Sequence, residues 1–498
     1  MAGATTGITP PTQGADMLRV SVSSISALIS LLAFAASASA GEPASPFRIR
    51  GYYLTLMRMP TFDRSDWIEI VDRVRADGGN TLILWTAGGF RSKRFPETWE
   101  HNADHENVRR DFVRGLIDDA HAKGIKVLLG FTPFGYDGVN RMSLTRPEWK
   151  ATGPDGKPTA KFGIHCWGYN LCPGREETQA FMLDYVREMY FEFYLNADGL
   201  LIESSDYAVC HCERCGPRFF DNEFRFVRTI SDEVWARKPE ATIVVYPHYF
   251  TGTKTPVAGA TAAKQPFDSR WTVFFTPHSA PPDAALIAAA KDSIWSDDGP
   301  ALRTPAQIRD GARRARSIGC TGYVPSIESF SYVVSEPEEG QTYLIGRRQV
   351  PFGFGWLAEG QIPYDELPIR INRIAYREFT RDPDLTMDRF EASLGEELFG
   401  ADSDAKAVED ALFLHKVFQA DRTWSQAAPL ADPARVAAMR GAGTLTDEQR
   451  ERLVADLHRV RRIAARYKNR DEAFTAMTRP AEWLSDRWSN EERLLADP

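Results

Sequence analysis

From Pro46 onward the chain alternates short runs of β-branched and aromatic residues with longer stretches whose apolar positions recur every three or four residues. Runs at 49–56, 81–85, 125–131, 199–203, 243–247, 271–276, 292–295 and 322–327 predict eight strands. The third is apolar apart from Lys126, as suits a parallel strand covered on both faces. Amphipathic stretches at 66–75, 108–123 and 176–194 predict helices between the strands. Eight strand–helix alternations in about 300 residues predict a closed (β/α)8 TIM barrel rather than an open doubly wound sheet. A long insertion, 133–173, interrupts the pattern after the third strand. From Asp365 strands disappear, and 369–379, 387–398, 405–419, 447–467 and 470–493 predict a C-terminal helical region. The expected division is a barrel over 47–360 and helices over 361–498.

The first forty residues carry a different pattern. Leu18-Arg19 opens an apolar, Ser/Ala-rich run to Ala38, and Ala38-Ser39-Ala40 places small residues where a signal peptidase cuts. We expect a signal peptide with Gly41 as the mature start. Because Pro10, Pro11 and Asp16 make a poor n-region, Met17 is the expected initiator. The run is too short and too Ser-broken for an anchor. The expected location is therefore periplasmic or secreted, with no membrane association after cleavage, and disulfides are permitted there.

Composition adds only exclusions. The 498 residues are 43% hydrophobic and 26% charged, with a net charge of −8. That balance offers no basic face for nucleic acid. No Gly-rich phosphate loop is present.

In a barrel, chemistry sits in the loops after the strands' C-terminal ends. Strand four runs into Glu203-Ser-Ser-Asp206, strand seven into Trp295-Ser-Asp297-Asp298, and strand eight into Pro325-Ser-Ile-Glu328. An acid after a strand also serves as a helix N-cap, a reading that fits Asp297 and Asp298 better than Glu203 and Glu328, since Glu is a poor cap. Paired carboxylates at a barrel mouth are what glycoside hydrolysis needs. One protonates the leaving oxygen, and another activates water or attacks the anomeric carbon. Aromatic faces suit sugars, which makes Trp85, Phe134, Trp167, Tyr246, Trp295 and Tyr332 candidates for binding a carbohydrate, against the alternative that they are core. His165, His248 and His278 could hydrogen-bond hydroxyls. Arg91, Lys93 and Arg94 could clamp a uronic carboxylate, against the alternative of a solvated basic loop.

The barrel order, the strand-four acid, the Cys-rich loop after it, and Tyr376-Arg-Glu-Phe-Thr-Arg-Asp382-Pro383 followed by Leu398-Phe-Gly400 resemble a broad group of bacterial glycoside hydrolases. The group includes the family 67 α-glucuronidases and the family 20 β-N-acetylhexosaminidases, and the resemblance spans roughly residues 48–400, the barrel and the first helices after it. The α-glucuronidase likeness implies an inverting enzyme with Glu203 as the acid, and with Asp297 or Asp298 and Glu328 flanking the attacking water. The hexosaminidase likeness implies a retaining enzyme with an adjacent Asp-Glu pair on strand four. Glu203 and Asp206 stand three apart instead, which disfavours that mechanism. A non-catalytic carbohydrate-binding barrel is the alternative of a different class, and the retained acids speak against it. A metal-dependent hydrolase or deacetylase is disfavoured because no His-x-His follows strand one and His248 and His278 each stand alone.

Cys210-His-Cys212-Glu-Arg-Cys215 follows the strand-four acid directly. Its spacing fits a structural zinc site completed by His211, His165, Cys166 or Cys172, and equally a loop pinned without metal. Export favours disulfides, so the pinned loop is the preferred expectation and no cofactor is required. A catalytic metal is disfavoured, because Cys-rich sites tend to be closed.

Overall fold

The computed structural model describes residues 45–55, 63–86, 88–100, 103, 106–135, 138–159, 168–203, 209–247, 250, 266–276, 282–296, 303–325, 367–400, 403–417, 430, 433–470 and 472–496. Residues Ser45–Pro498 form one compact unit. Its centre is a closed parallel barrel of eight strands in sequence order. These are β1 (Ile49–Thr55), β2 (Thr81–Trp85), β3 (Lys126–Phe131), β4 (Gly199–Ile202), β5 (Thr242–Val245), β6 (Thr272–Phe275), β7 (Asp292–Trp295) and β8 (Gly322–Tyr323). β8 pairs back onto β1 through Ile49–Gly322 and Arg50–Tyr323. The (β/α)8 expectation therefore holds, and β2 and β7 have the expected bounds. β8 is shorter than expected. Val324 N–H still bonds Trp295 O at 2.9 Å and Pro325 O still accepts from Tyr53 N–H at 3.0 Å, but Pro325 has no N–H to give back to β1, and residues 326–327 lie outside the described residues.

Helices α1 (Arg64–Ala76), α2 (Val113–Ala122), α3 (Glu176–Arg187), α4 (Phe219–Arg237), α5 (Ala284–Ala289) and α6 (Pro305–Ser317) cover the outside of the barrel. α1 starts on an Asp63 capping box and α6 on a Thr304–Gln307 box. α3 continues as a π-helical stretch, Glu188–Phe193, down toward the start of β4. The expected helix at 108–123 is broken. A single turn, Glu106–Arg109, precedes α2, and Asp111 between them accepts from Tyr194 Oη at 3.0 Å.

The C-terminal helices are α7 (Leu367–Arg381), α8 (Met387–Phe399), α9 (Ala405–Val417), α10 (Pro433–Gly441), α11 (Asp447–Tyr467) and α12 (Thr475–Ser489). α11 has the expected bounds, and α10 was not anticipated. α7 docks beneath the barrel, where Arg373 forks onto Asp77 with Nε–Oδ2 2.8 Å and Nη2–Oδ1 2.9 Å. Tyr52 Oη donates to the same carboxylate at 2.9 Å. Asp77 closes α1 just before β2, so this joint lies at the N-terminal end of the barrel.

Register fixes which side chains fill the lumen. Tyr53 pairs with Ile83, Ile83 with Leu128, Trp85 with Gly130, Gly130 with Leu201, Leu201 with Val244, and Phe274 with Ile294. Neighbours in register share a face. β1 and β6 are not neighbours, yet the Tyr53 and Phe274 rings lie 6.2 Å apart, which they can do only across the barrel interior. The set containing Tyr53, Trp85, Leu201 and Phe274 therefore points inward. The alternate set packs against helices: Phe131 meets Phe226 of α4 at 6.2 Å, and Tyr323 meets Tyr376 of α7 at 5.5 Å.

Candidate active site at the barrel mouth

Along β4, Gly199 and Leu201 are inward-facing, and the same alternation carries Glu203 inward one step past the strand. The Glu203 backbone N–H bonds Phe131 O at 3.0 Å, so the ladder still holds the chain there. The result is a carboxyl group fixed at the C-terminal rim of the barrel, in a residue only 7% exposed. It is held by the strand itself rather than by a loop.

Beside it runs an aromatic ladder across the lumen. Trp85 meets Tyr53 at 6.0 Å, Tyr53 meets Phe274 edge-on at 6.2 Å, and Phe274 meets Tyr246 at 5.2 Å. Trp85 ends β2 and Tyr246 follows β5, so both stand near the level of Glu203. Trp85 has its seat because β3 carries glycine opposite. A Cβ on Gly130 would lie 3.1 Å from Trp85 Cε3. Ser296, buried just past β7, continues the inward face of Ile294. The four ring residues are each 4% exposed or less, and a rim carboxyl beside such a floor can exchange a proton with an oxygen bound at the mouth.

The register thus puts three expected residues, Glu203, Trp85 and Tyr246, on the inward face at the C-terminal ends of β4, β2 and β5. Tyr53 and Phe274 belong with them and were not singled out from the sequence. The usable signal was the inward alternation of β1 and β6, which becomes decisive only once the register is known.

Trp295 is placed elsewhere. Ile294 takes the inward face of β7, so Trp295 turns outward, beneath the Arg314 guanidinium of α6 at 5.1 Å. Phe134 also belongs to the outer layer, 5.8 Å from Phe226. The basic trio after β2 is engaged away from the rim. Arg91 donates to Arg109 O at 3.1 Å and lies over Trp99 at 5.0 Å. Lys93 lies over Phe193 at 5.1 Å, and Arg94 pairs with Glu192. Ser92 Oγ and Lys93 N–H both donate to buried Glu188, at 2.6 and 2.8 Å. The partners of Lys93 and Arg94 lie on the stretch that descends to the start of β4, and those of Arg91 on the segment between β2 and α2. Asp206, Asp297, Asp298, Glu328, His165, Cys166, Trp167, His248, His278 and Tyr332 lie outside the described residues.

Beyond Glu203 the cysteines converge. Cys172, Cys210, Cys212 and Cys215 bring their sulfurs within 4.8 Å of one another, and Cys172 Sγ is 3.6 Å from both Cys212 Sγ and Cys215 Sγ. All four are free thiols here. Cys172 and Cys215 hydrogen-bond Cys210, and these bonds, with the Thr152 and Cys212 N–H groups, pull the Cys210 thiol below its ordinary range.

No family model and no curated protein matches the chain. Among solved structures it is similar to a GH138 enzyme targeting pectin rhamnogalacturonan II, with 12% identity and a TM-score of 0.46, over 91% of this chain and 58% of that one. It is also similar to a β-N-acetylhexosaminidase from Bacteroides fragilis, with 12% identity and a TM-score of 0.47, over 72% of this chain and 71% of that one. Dispersin B is a third, with 12% identity and a TM-score of 0.38, over 56% of this chain and 90% of that one. The chain thus spans 58% of the length of the GH138 enzyme.

Proposed function

We propose that this chain is a glycoside hydrolase in which Glu203 is the general acid. The observation that carries the reading is the inward carboxyl of Glu203 at the C-terminal end of β4, beside the Trp85–Tyr53–Phe274–Tyr246 ladder. The ladder, whose residues are each 4% exposed or less, forms an apolar floor beside that carboxyl. The carboxyl supplies the proton that the departing oxygen needs. The sugar stays at the level of class, because the β2 loop cations that would have marked a uronate are bound elsewhere.

The finer reading is an inverting enzyme in which Asp297 or Asp298, with Glu328, holds the attacking water. Asp206 stands close enough in sequence to Glu203 to tune its acid. Such a mechanism needs a carboxyl separation of about 6.5–9.5 Å, against roughly 5–5.5 Å for retention. Proton NMR of the first-formed anomer tests it: an inverted product supports the assignment, and a retained product overturns inversion while leaving hydrolysis standing. The hydrolytic reading itself is tested with a panel of aryl glycosides and uronosyl oligosaccharides, where turnover by the wild type that Glu203→Gln lowers, most on the substrates with poor leaving groups, is the expected result. Absence of turnover across the panel, with sugars still bound, would favour a carbohydrate-binding barrel instead.

The chain is further proposed to be exported. Expression from Met17 should give mature protein beginning at Gly41, and N-terminal sequencing of secreted material checks it. Among the described residues no helix is long and apolar enough to cross a membrane.

A further inference from the structure

We propose that Cys172, Cys210, Cys212 and Cys215 bind one structural zinc ion that ties the β3 insertion to the loop carrying the chain out of β4. The site is independent of the hydrolytic reading and takes no part in bond cleavage.

The sulfur geometry fits the ion. Four thiolates at about 2.3 Å from a tetrahedral zinc stand roughly 3.7 Å from each other. The two Sγ–Sγ distances involving Cys172 are 3.6 Å, and all four sulfurs lie within 4.8 Å. A disulfide needs about 2.05 Å, well short of the 3.6 Å that separates Cys172 Sγ from Cys212 Sγ and from Cys215 Sγ. Three of the four residues are buried and Cys212 is half-buried, so the cage is closed. Closed tetrahedral sulfur sites are structural, whereas a catalytic zinc keeps an open position.

The surroundings are those of bound thiolates rather than of a thiol-lined core. Thr152 N–H points at Cys210 Sγ at 3.3 Å, and Asn222 Nδ2 at Cys215 Sγ at 3.7 Å. Donors of this kind orient ligands and offset the charge of a metal-bound sulfur. Between Cys212 and Cys215 the chain is wound tight by Cys215 N–H and Gly216 N–H, which both bond Cys212 O, at 3.0 and 2.9 Å. Gly174 leaves the room that the cluster needs, since a Cβ there would lie 2.9 Å from Cys215 Sγ.

Placement gives the ion its task. Cys172 lies forty positions before Cys212, at the end of the insertion after β3. The other three cysteines follow Glu203 within twelve positions. The two segments also meet through His211 N–H to Thr152 O at 2.7 Å, beside the Thr152 N–H that points at Cys210 Sγ. A zinc ion here fastens the two loops flanking the β4 rim to each other.

The test is metal analysis of the purified full chain by inductively coupled plasma mass spectrometry, with thiol titration under denaturing conditions before and after chelation. The expected result is about one zinc per chain that survives dialysis. Cys212→Ser should lower that occupancy and Cys320→Ser should leave it intact. Cobalt in place of zinc should give the intense ligand-field bands of a tetrahedral thiolate site, a readout that needs no activity. Metal-free protein with a disulfide between any two of the four cysteines would overturn the proposal. So would stoichiometric iron in place of zinc, or zinc retained after Cys172→Ser together with Cys210→Ser.

Discussion

Buried carboxylates hold opposite posts at the two ends of the barrel. At the N-terminal end Asp77 is saturated: it takes both prongs of the Arg373 guanidinium and the Tyr52 hydroxyl, with both charged side chains under 10% exposed. Burial, followed by the charge of Asp77, raises the Tyr52 phenol, so Tyr52 stays a donor. Everything about this carboxylate serves to dock α7. Glu203 at the C-terminal end has comparable burial but stands at a rim beside aromatic rings, on the face from which a ligand would arrive. A carboxylate locked in a fork is architecture, whereas one set at the rim by its strand stands where the proposed acid is needed.

The largest effect should come from breaking the rim. Glu203→Gln keeps shape and removes the proton, so turnover on substrates with poor leaving groups should fall about 10²- to 10⁴-fold. The loss should shrink for nitrophenyl glycosides, whose leaving group needs little help. Thermal unfolding should hardly change. Equal losses on good and poor leaving groups would remove Glu203 from the acid role.

Breaking the fork should do the reverse. Asp77→Asn leaves Arg373 charged and buried without its counter-ion, a change that costs about 3–5 kcal/mol of stability. Measured by urea denaturation, the variant should unfold earlier, while kcat of the folded fraction stays near wild type. The pair Asp77→Leu with Arg373→Met should recover part of the loss, because two apolar groups replace two desolvated charges. Recovery should be incomplete, since the Tyr52 hydroxyl then loses its acceptor.

The C-terminal helices carry a third buried group that sharpens the contrast through pH. His415 on α9 is fully buried and hydrogen-bonds Asn372 of α7, Nε2–Oδ1 2.8 Å. Burial pushes its imidazole down to about 4 from the ordinary 6.5. Between those values the unfolded chain binds the proton and the folded chain does not. Stability from this group is therefore fully present above pH 6.5 and is lost as pH falls toward 4, by up to about 3 kcal/mol. Denaturation curves at pH 7 and pH 4.5 for wild type and His415→Gln should show a shallower acid loss in the variant. Parallel losses would mean that the imidazole is already charged in the fold.

These sites differ in how far the sequence discloses them. Glu203 was legible because four apolar residues run straight into an acid, a pattern that locates both the strand and its end. The bounds of β2 and β7 were legible for the same reason, being set by abrupt changes of residue type. Facing was not legible. Both faces of a parallel barrel strand are buried, so alternation of polarity is lost, and Trp295 gave no sign that Ile294 takes the lumen. Tyr53 and Phe274 were hidden because their contact crosses strands that are not neighbours. Regular pairing in β8 ends at Tyr323 among the described residues, and an apolar run says nothing of the hydrogen that Pro325 lacks. The cysteine spacing pointed to three ligands, but choosing Cys172 as the fourth required the β3 insertion to fold back on the β4 loop. The Asp77–Arg373 joint links residues 296 apart and had no local signal at all.

The smallest effect should come from Gly130, and it separates the two faces of the barrel most finely. A Cβ at this position would stand 3.1 Å from Trp85 Cε3, so Gly130→Ala must tilt the indole by a few tenths of an ångström. Overpacking of this kind costs about 1–3 kcal/mol, and one methyl belongs at the low end of that range. Trp85 lies on the inward face at the rim, so the tilt should raise KM a few-fold while kcat and the leaving-group dependence stay unchanged. Trp295→Phe is the matched control, because it trims a ring of the outer layer beneath Arg314. It should lower stability by a similar amount and leave KM alone. If Trp295→Phe moves KM and Gly130→Ala does not, the lumen ladder is only core, and the substrate surface must be sought elsewhere on the barrel.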